Sequence, residues 1–287
     1  MRRGGVELWR WQRDQWFVAY SRALDGILVR WGMRPELHLL LVILPPLLLM
    51  VALGLALSGS LLGLPYLLLL VGSLIYSEGR GNLRQQVDEY LEFWRFADGV
   101  AAGRSARAFA TDARRLVPKA LASLHRFAVD GLLYRAFTQW FAVVFWLALL
   151  GPGGAFGYRL LHLYLAHTDA CAVRNRDRLQ AALFYIDWIP ARALGFAFAV
   201  VGNFANCYPV WRQQLAVQGR SAPIFLRYCG VAALSDAETL ACQGRNEGAR
   251  RPEALARSAE QIRELMILLR RSRVAWWLGI VVLDVAL

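Results

Sequence analysis

The chain has 287 residues, is 57% hydrophobic and carries a formal net charge of +12. That apolar share exceeds the share in an ordinary soluble domain, and residues 37–77 contain no Asp, Glu, Lys or Arg. A helix that crosses a bilayer needs about 20 such residues, so this run is long enough for two spans and a tight turn. The composition excludes an ordinary soluble domain. It predicts an all-α integral membrane protein with about four to five transmembrane or re-entrant helices and additional amphipathic cytoplasmic helices.

The positive charge comes almost wholly from arginine, because Lys119 is the only lysine. The arginines flank the apolar segments rather than forming one basic run, which is typical of loops that face the cytoplasm and anionic headgroups. We therefore expect the lipid bilayer, and not nucleic acid, as the partner of this charge. The four cysteines are scattered without a C-x-x-C pair, so the sequence predicts neither a zinc site nor a disulfide framework.

The charge pattern divides the chain into six predicted segments. They are a basic, aromatic, amphipathic segment (1–36), a transmembrane hairpin (37–77), a polar helical segment (78–135), a membrane core (136–205), a second polar segment (206–273) and a C-terminal apolar segment (274–287). The first segment can lie in the headgroup layer or pack on the protein. Every polar segment is net basic, so we expect some apolar segments after residue 150 to be re-entrant or interfacial.

Helical periodicity and helix breakers refine these segments. Val87, Tyr90, Leu91 and Trp94 have helical spacing, as do Ile262, Leu265 and Leu269. The glycines at 79 and 81 lack the third glycine of a dinucleotide-binding fingerprint. The cluster Gly151-Pro152-Gly153-Gly154 is a strong breaker. Either the helix ends there and the chain re-enters the membrane, or the glycines line a close contact.

The only formal charges between Leu179 and Trp211 are Asp187 and Arg192. Charges in so apolar a segment are costly unless they pair or serve a function. They are five positions apart, about 140° around a helix, so they do not form a standard i, i+4 pair. Unwinding at Pro190 could bring them together, or each could have another partner. The candidates are Arg159, Arg174 and Arg178 for Asp187, and Asp169 and Asp177 for Arg192.

One known family shares several of these short patterns. The chain from residue 132 to 203 resembles the AmpE family in Leu132-Leu133-Tyr134-Arg135-Ala136-Phe137, Phe145-Trp146, Gly151-Pro152-Gly153-Gly154-Ala155, Gly157-Tyr158-Arg159, Arg178-Leu179-Gln180 and Asp187-Trp188-Ile189-Pro190-Ala191-Arg192. This resemblance implies an inner-membrane protein of β-lactamase induction in Gram-negative bacteria. Members are encoded beside a cytoplasmic amidase that recycles peptidoglycan fragments.

The element from Trp188 to Arg192 is also similar to the W-x-P-A-R pattern of the CbiB/CobD membrane enzymes of cobalamin synthesis. That similarity implies an ATP-requiring amide synthase acting on a corrinoid carboxylate. This chain departs from that pattern because residues 132–146 offer only Arg135 and Gln139 as long polar side chains. ATP and magnesium ordinarily require carboxylates, so the similarity implies the scaffold more than the reaction.

The leading hypothesis is an AmpE-like regulatory or signalling protein of the bacterial inner membrane, with several membrane passes. It is linked to β-lactamase induction and peptidoglycan recycling. We expect Arg159, Arg178 and Arg192 to hold a carboxylate or phosphate, because guanidinium forks suit both. Asp187 would orient one of them. Trp188 would anchor at the membrane interface, and Pro190 would interrupt the helix.

The expected partners are a muropeptide-like anion, a cytoplasmic amidase and a second copy of the chain. No cofactor or metal is predicted, and the pattern leaves open whether a reaction is catalysed. The alternatives are a CbiB/CobD-like amide synthase and, ranked last, a transporter, which would draw on the broken apolar segments.

Overall fold

The computed structural model describes residues 15–30, 35–58, 64–77, 83–96, 98–109, 116–167, 173–217, 219, 221–234 and 252–286. Regular structure in these residues is helical, so the predicted all-α class is confirmed. The α-helices are α1 (Gln15–Arg30), α2 (Pro35–Ser58), α3 (Leu64–Ser77), α4 (Leu83–Arg95), α5 (Gly99–Ala106), α6 (Leu121–Ala136), α7 (Ala142–His167), α8 (Val173–Val201), α9 (Phe204–Ala216), α10 (Ala222–Leu234) and α11 (Pro252–Ala286). A 3₁₀ turn follows α5 at Arg107–Phe109, and a π-helical segment, Phe137–Phe141, joins α6 to α7.

Three stretches of the described residues are long and apolar enough to cross a membrane: Leu40–Leu57, Leu121–Ala166 and Leu179–Val201. The first lies within α2, which contains both Pro45 and Pro46. The predicted second span, 61–76, corresponds to α3, whose 14 residues rise about 21 Å. These described residues alone are shorter than a hydrocarbon core of about 30 Å, and the positions on either side of α3 lie outside the described residues.

The chain divides into two compact units. Unit 1 comprises Met1–Gly79 and Val143–Ile186. Its core contains Phe17, Val42, Leu160, Leu163, Tyr164, Leu179 and Leu183, all buried. Trp16 of α1 also donates a hydrogen bond from Nε1 to the Tyr76 hydroxyl at 3.1 Å. Because Phe17 of α1 is fully buried in this core, α1 packs on the protein, one of the two positions predicted for the N-terminal segment.

The glycine cluster in α7 lines a close contact, one of the two alternatives that the sequence left open, and the helix does not end there. Gly151 adopts a left-handed backbone (φ +67°), which kinks the helix. Helix α7 nevertheless continues to His167. A Cβ atom on Gly153 would lie 2.7 Å from Val51 Cγ2 of α2, closer than real Cβ atoms approach. The cluster therefore combines a kink with a close helix contact inside unit 1.

Unit 2 comprises Arg80–Ala142 and Asp187–Leu287. Helix α6 lies at its centre and packs against α5, α10 and α11, while α9 packs on α10 and α4 packs on α5 and α11. The predicted helical spacings are confirmed, since each set forms a buried face: Val87, Tyr90, Leu91 and Trp94 in α4, and Ile262, Leu265 and Leu269 in α11.

Two segment boundaries predicted from charge, 135/136 and 273/274, fall inside continuous helical runs. A charged residue marks where a helix is less compatible with lipid, but it does not end the helix when a partner lies nearby. Asp130 of α6, only 6% exposed, shows this, because its Oδ1 lies 2.6 Å from Arg227 Nε of α10. The predicted turn at 59–60, the glycines at 79 and 81, Asp169, Cys171, Cys242 and the loop 244–251 lie outside the described residues.

Candidate anion-binding site on helix α8

The C-terminal half of α8, from Asp187 onward, places the predicted acid and base in unit 2. Helix α8 continues through Pro190 without a break. Asp187 is 2% exposed and Arg192 6% exposed, whereas Trp188 is 40% exposed. Pro190 is buried. The helix is not unwound at Pro190, so Asp187 and Arg192 stay on different sides of it, and each has its own contacts.

Asp187 accepts a hydrogen bond from α6. The Tyr134 hydroxyl donates to Asp187 Oδ2 at 2.6 Å, and both side chains are buried. A distance this short is typical of a hydroxyl that donates to a charged carboxylate. Tyr134 is not among the site residues that the sequence predicts, because a tyrosine in an apolar run looks like a packing residue. The one sequence signal for Tyr134 is its position one helical turn after Asp130, which puts both polar groups on the same face of α6.

The Arg192 guanidinium lies between two aromatic rings. Its central carbon is 4.2 Å from the Trp188 ring centroid and 4.8 Å from that of Phe225 of α10. Nη1 donates to the Trp188 carbonyl at 3.2 Å. The buried Nε has no hydrogen-bond partner among the described residues. Within the part of the chain that the structure describes, no carboxylate forms an ion pair with the Arg192 guanidinium.

Helices α9 and α10 close the site from the other side. The Trp211 indole donates to the Arg192 carbonyl at 3.0 Å, and the Cys207 thiol donates to the Cys229 carbonyl at 3.3 Å. A separate side-chain hydrogen bond with the Cys229 thiol lowers the pKa of the Cys207 thiol. The same bond and burial raise the pKa of Cys229. Cys207 and Cys229 are 22 positions apart in the sequence, and the fold brings them together.

Gly195 is the residue of α8 that permits this close approach. A Cβ atom at Gly195 would lie 2.6 Å from Phe225 Cε1 and 3.2 Å from Cys229 Sγ. Any larger residue would therefore displace Phe225, one of the two rings that hold Arg192. The glycine places α10 within reach of the guanidinium.

Helix α6 links the site to the rest of unit 2. Tyr134 bonds to Asp187 of α8, and Asp130 forms its ion pair with Arg227 of α10. The π-helical segment begins at Phe137, directly after α6. Such segments are frequent at functional sites. The contacts of α6 therefore fix α8 and α10 against the same helix.

The remaining predicted site residues belong to unit 1. Arg159 lies in α7, half-buried, one turn before His162, whose ring is 4.6 Å from that of Tyr158. Arg178 lies in α8, and its side chain is outside the described residues. That these two arginines join Arg192 in holding an anion stays a prediction.

A match to a known protein family includes every residue of this site. The family model described as "Regulatory signalling modulator protein AmpE" matches residues 9–239. That range includes Tyr134, Asp187, Arg192 and Phe225. The chain belongs to the AmpE family. With its helices long and apolar enough to span, it is a membrane protein of a regulatory signalling family, as the resemblance implied.

A curated relative supports the assignment. Protein AmpE of Shigella flexneri is 30% identical over 171 residues, which cover 54% of this chain and 57% of the relative. This AmpE-family chain therefore aligns with little more than half of that relative. No solved structure matches this chain significantly. The similarity to the CbiB/CobD enzymes stays a prediction.

Proposed function

We propose that this AmpE-family chain, which crosses the bacterial inner membrane several times, binds a small anion at Arg192 and thereby modulates signalling at the cytoplasmic face. The observation that carries the proposal is the state of the arginine. It is 6% exposed, it is held between Trp188 and Phe225, and its Nε has no partner among the described residues.

The energetics favour a ligand at this position. A buried charge without a compensating partner is strongly unfavourable, and a buried donor without an acceptor costs about 1–3 kcal/mol. An anionic ligand would remove both penalties at once. A guanidinium presents five N–H donors in a planar fork, which matches a carboxylate or a phosphate.

The resemblance to the AmpE family supports the identity proposed for the ligand and for the response. The anion is then a peptidoglycan fragment, such as a muropeptide, and the response is a change in β-lactamase induction. The cytoplasmic amidase encoded beside family members is the proposed partner, and self-association of the chain is a second possibility for relaying the signal. No reaction of the chain is needed for this role.

The direct test measures β-lactamase induction in a strain whose chromosomal copy is replaced by variants. Arg192→Gln removes the charge of the site. Arg212→Gln removes an exposed arginine on α9 and is the matched control. We expect loss of modulation with the first variant and normal modulation with the second, at equal amounts of protein in the membrane. Normal modulation with Arg192→Gln would refute the proposal.

Binding is tested separately on the detergent-purified protein by thermal stability. A ligand that binds only the folded state adds about 2.7 kcal/mol at a hundredfold excess over its dissociation constant. The panel holds an anhydro-muropeptide, ATP with magnesium, and a corrinoid acid. A shift with the muropeptide that Arg192→Gln abolishes supports the proposal, whereas an Arg192-dependent shift with ATP or the corrinoid would favour an amide synthase.

A further inference from the structure

The surface of α8 around Arg192 is apolar. From Asp187 to Val201 the exposed side chains of this helix are Trp188, Ile189, Phe196 and Val200. Trp188 and Phe196 lie one turn before and one turn after Arg192, so they flank it along the helix. The stretch Leu179–Val201 is also apolar enough to cross a membrane. The exposed flanks of the guanidinium are therefore suited to hydrocarbon rather than water.

The two rings that hold the guanidinium differ in exposure. Phe225 is fully buried, whereas Trp188 is 40% exposed. Phe225 therefore closes the inner side of the site, and Trp188 covers the outer side. Rotation of the Trp188 side chain would uncover the guanidinium toward the apolar surface formed by Ile189 and Phe196. A ligand that arrives by this route meets hydrocarbon-compatible side chains before it meets the charge.

This inference rests on the proposed anion site at Arg192 but replaces the soluble muropeptide as its occupant: we infer that the bound anion is the head group of an amphiphile that reaches Arg192 from the bilayer. Its chemistry is one phosphate or carboxylate on an apolar tail. The head group accepts hydrogen bonds from the guanidinium, including the unpartnered Nε. The tail lies along the exposed apolar face of α8. A soluble anion would supply the first interaction but not the second.

The test uses the full chain in phosphatidylcholine nanodiscs and two probes that carry the same phosphate. Phosphatidic acid has a tail, and glycerol 3-phosphate has none. Native mass spectrometry measures how much of each probe stays bound to wild type, Arg192→Gln, Arg192→Lys and the control Arg212→Gln. We expect wild type and Arg212→Gln to bind one phosphatidic acid at least tenfold more tightly than glycerol 3-phosphate. Arg192→Gln should weaken the binding of phosphatidic acid at least tenfold.

The outcomes separate the two proposals. If glycerol 3-phosphate binds as tightly as phosphatidic acid and Arg192→Gln weakens the binding of both, the inference that the ligand is an amphiphile is wrong. The proposed anion site at Arg192 is then still supported. If neither probe depends on Arg192, both proposals fail. If Arg192→Gln does not fold, the binding of phosphatidic acid to Arg192→Lys is the deciding measurement. Arg192→Lys keeps the charge but loses the planar fork, so it should weaken the binding of phosphatidic acid severalfold, and unchanged binding would overturn the inference.

Discussion

The hydrogen bond between Tyr134 and Asp187 gives the sharpest test of the packing that positions the site. Tyr134→Phe removes the hydroxyl and leaves the ring in place. A hydrogen bond to a charged group contributes about 1.5–3 kcal/mol, and the 2.6 Å distance together with the burial of both side chains places this bond in that class. We therefore expect Tyr134→Phe to lower the free energy of unfolding by about 1.5–3 kcal/mol.

Tyr90 is the matched control for that experiment. It is a fully buried tyrosine of α4 in the same unit, and its hydroxyl has no hydrogen-bond partner among the described residues. Removing an unsatisfied buried hydroxyl relieves a desolvation penalty, so Tyr90→Phe should be neutral or stabilising by about 1 kcal/mol. The measurement is an SDS titration of both variants in mixed micelles. Equal effects, or a loss below about 0.5 kcal/mol for Tyr134→Phe, would refute the reasoning.

Two further predictions test the contacts around the site in the same titration. Asp130→Ala should lower the free energy of unfolding by about 3–5 kcal/mol, because it leaves the partly buried Arg227 without its carboxylate. Adding Arg227→Met should recover part of that loss, and no recovery would contradict the ion pair. Gly195→Ala should cost about 1–3 kcal/mol by overpacking against Phe225. Gly279→Ala on α11, with no atom within 4 Å of the added Cβ, should be neutral or stabilising by up to about 1 kcal/mol.

The helices were predictable from the sequence because their signals are local. The charge-free run at 37–77 and the spacing of Val87, Tyr90, Leu91 and Trp94 each depend on neighbouring residues, and the structure confirms the helices that they indicate. The ends of helices were less predictable. A boundary drawn where charge begins assumes that a charged residue must leave the protein interior, and the buried pair of Asp130 and Arg227 shows that it need not.

The contacts of the site depended on which helices pack together, which the sequence did not show. Tyr134 and Asp187 are 53 positions apart, and Asp130 and Arg227 are 97 apart. Asp187 and Arg192 are recognisable from the sequence, because charges in the apolar part of α8 carry an energetic penalty. Tyr134 is not predicted in this way, since a tyrosine in a hydrophobic helix is compatible with packing alone until its hydroxyl is seen beside a carboxylate.

The contacts of Asp187 and Arg192, the two charges in the apolar part of α8, assign them different roles. A carboxylate only accepts hydrogen bonds, and Asp187 accepts one from Tyr134 in the protein interior, so its charge is used to hold α6 against α8. A guanidinium only donates, with five N–H groups, and Arg192 uses Nη1 on the Trp188 carbonyl while Nε has no acceptor in the described part of the chain. Substitutions at Tyr134 should therefore change stability with ligand affinity largely preserved. Substitutions at Arg192 should change affinity first, because its donors are the ones that a bound anion would complete.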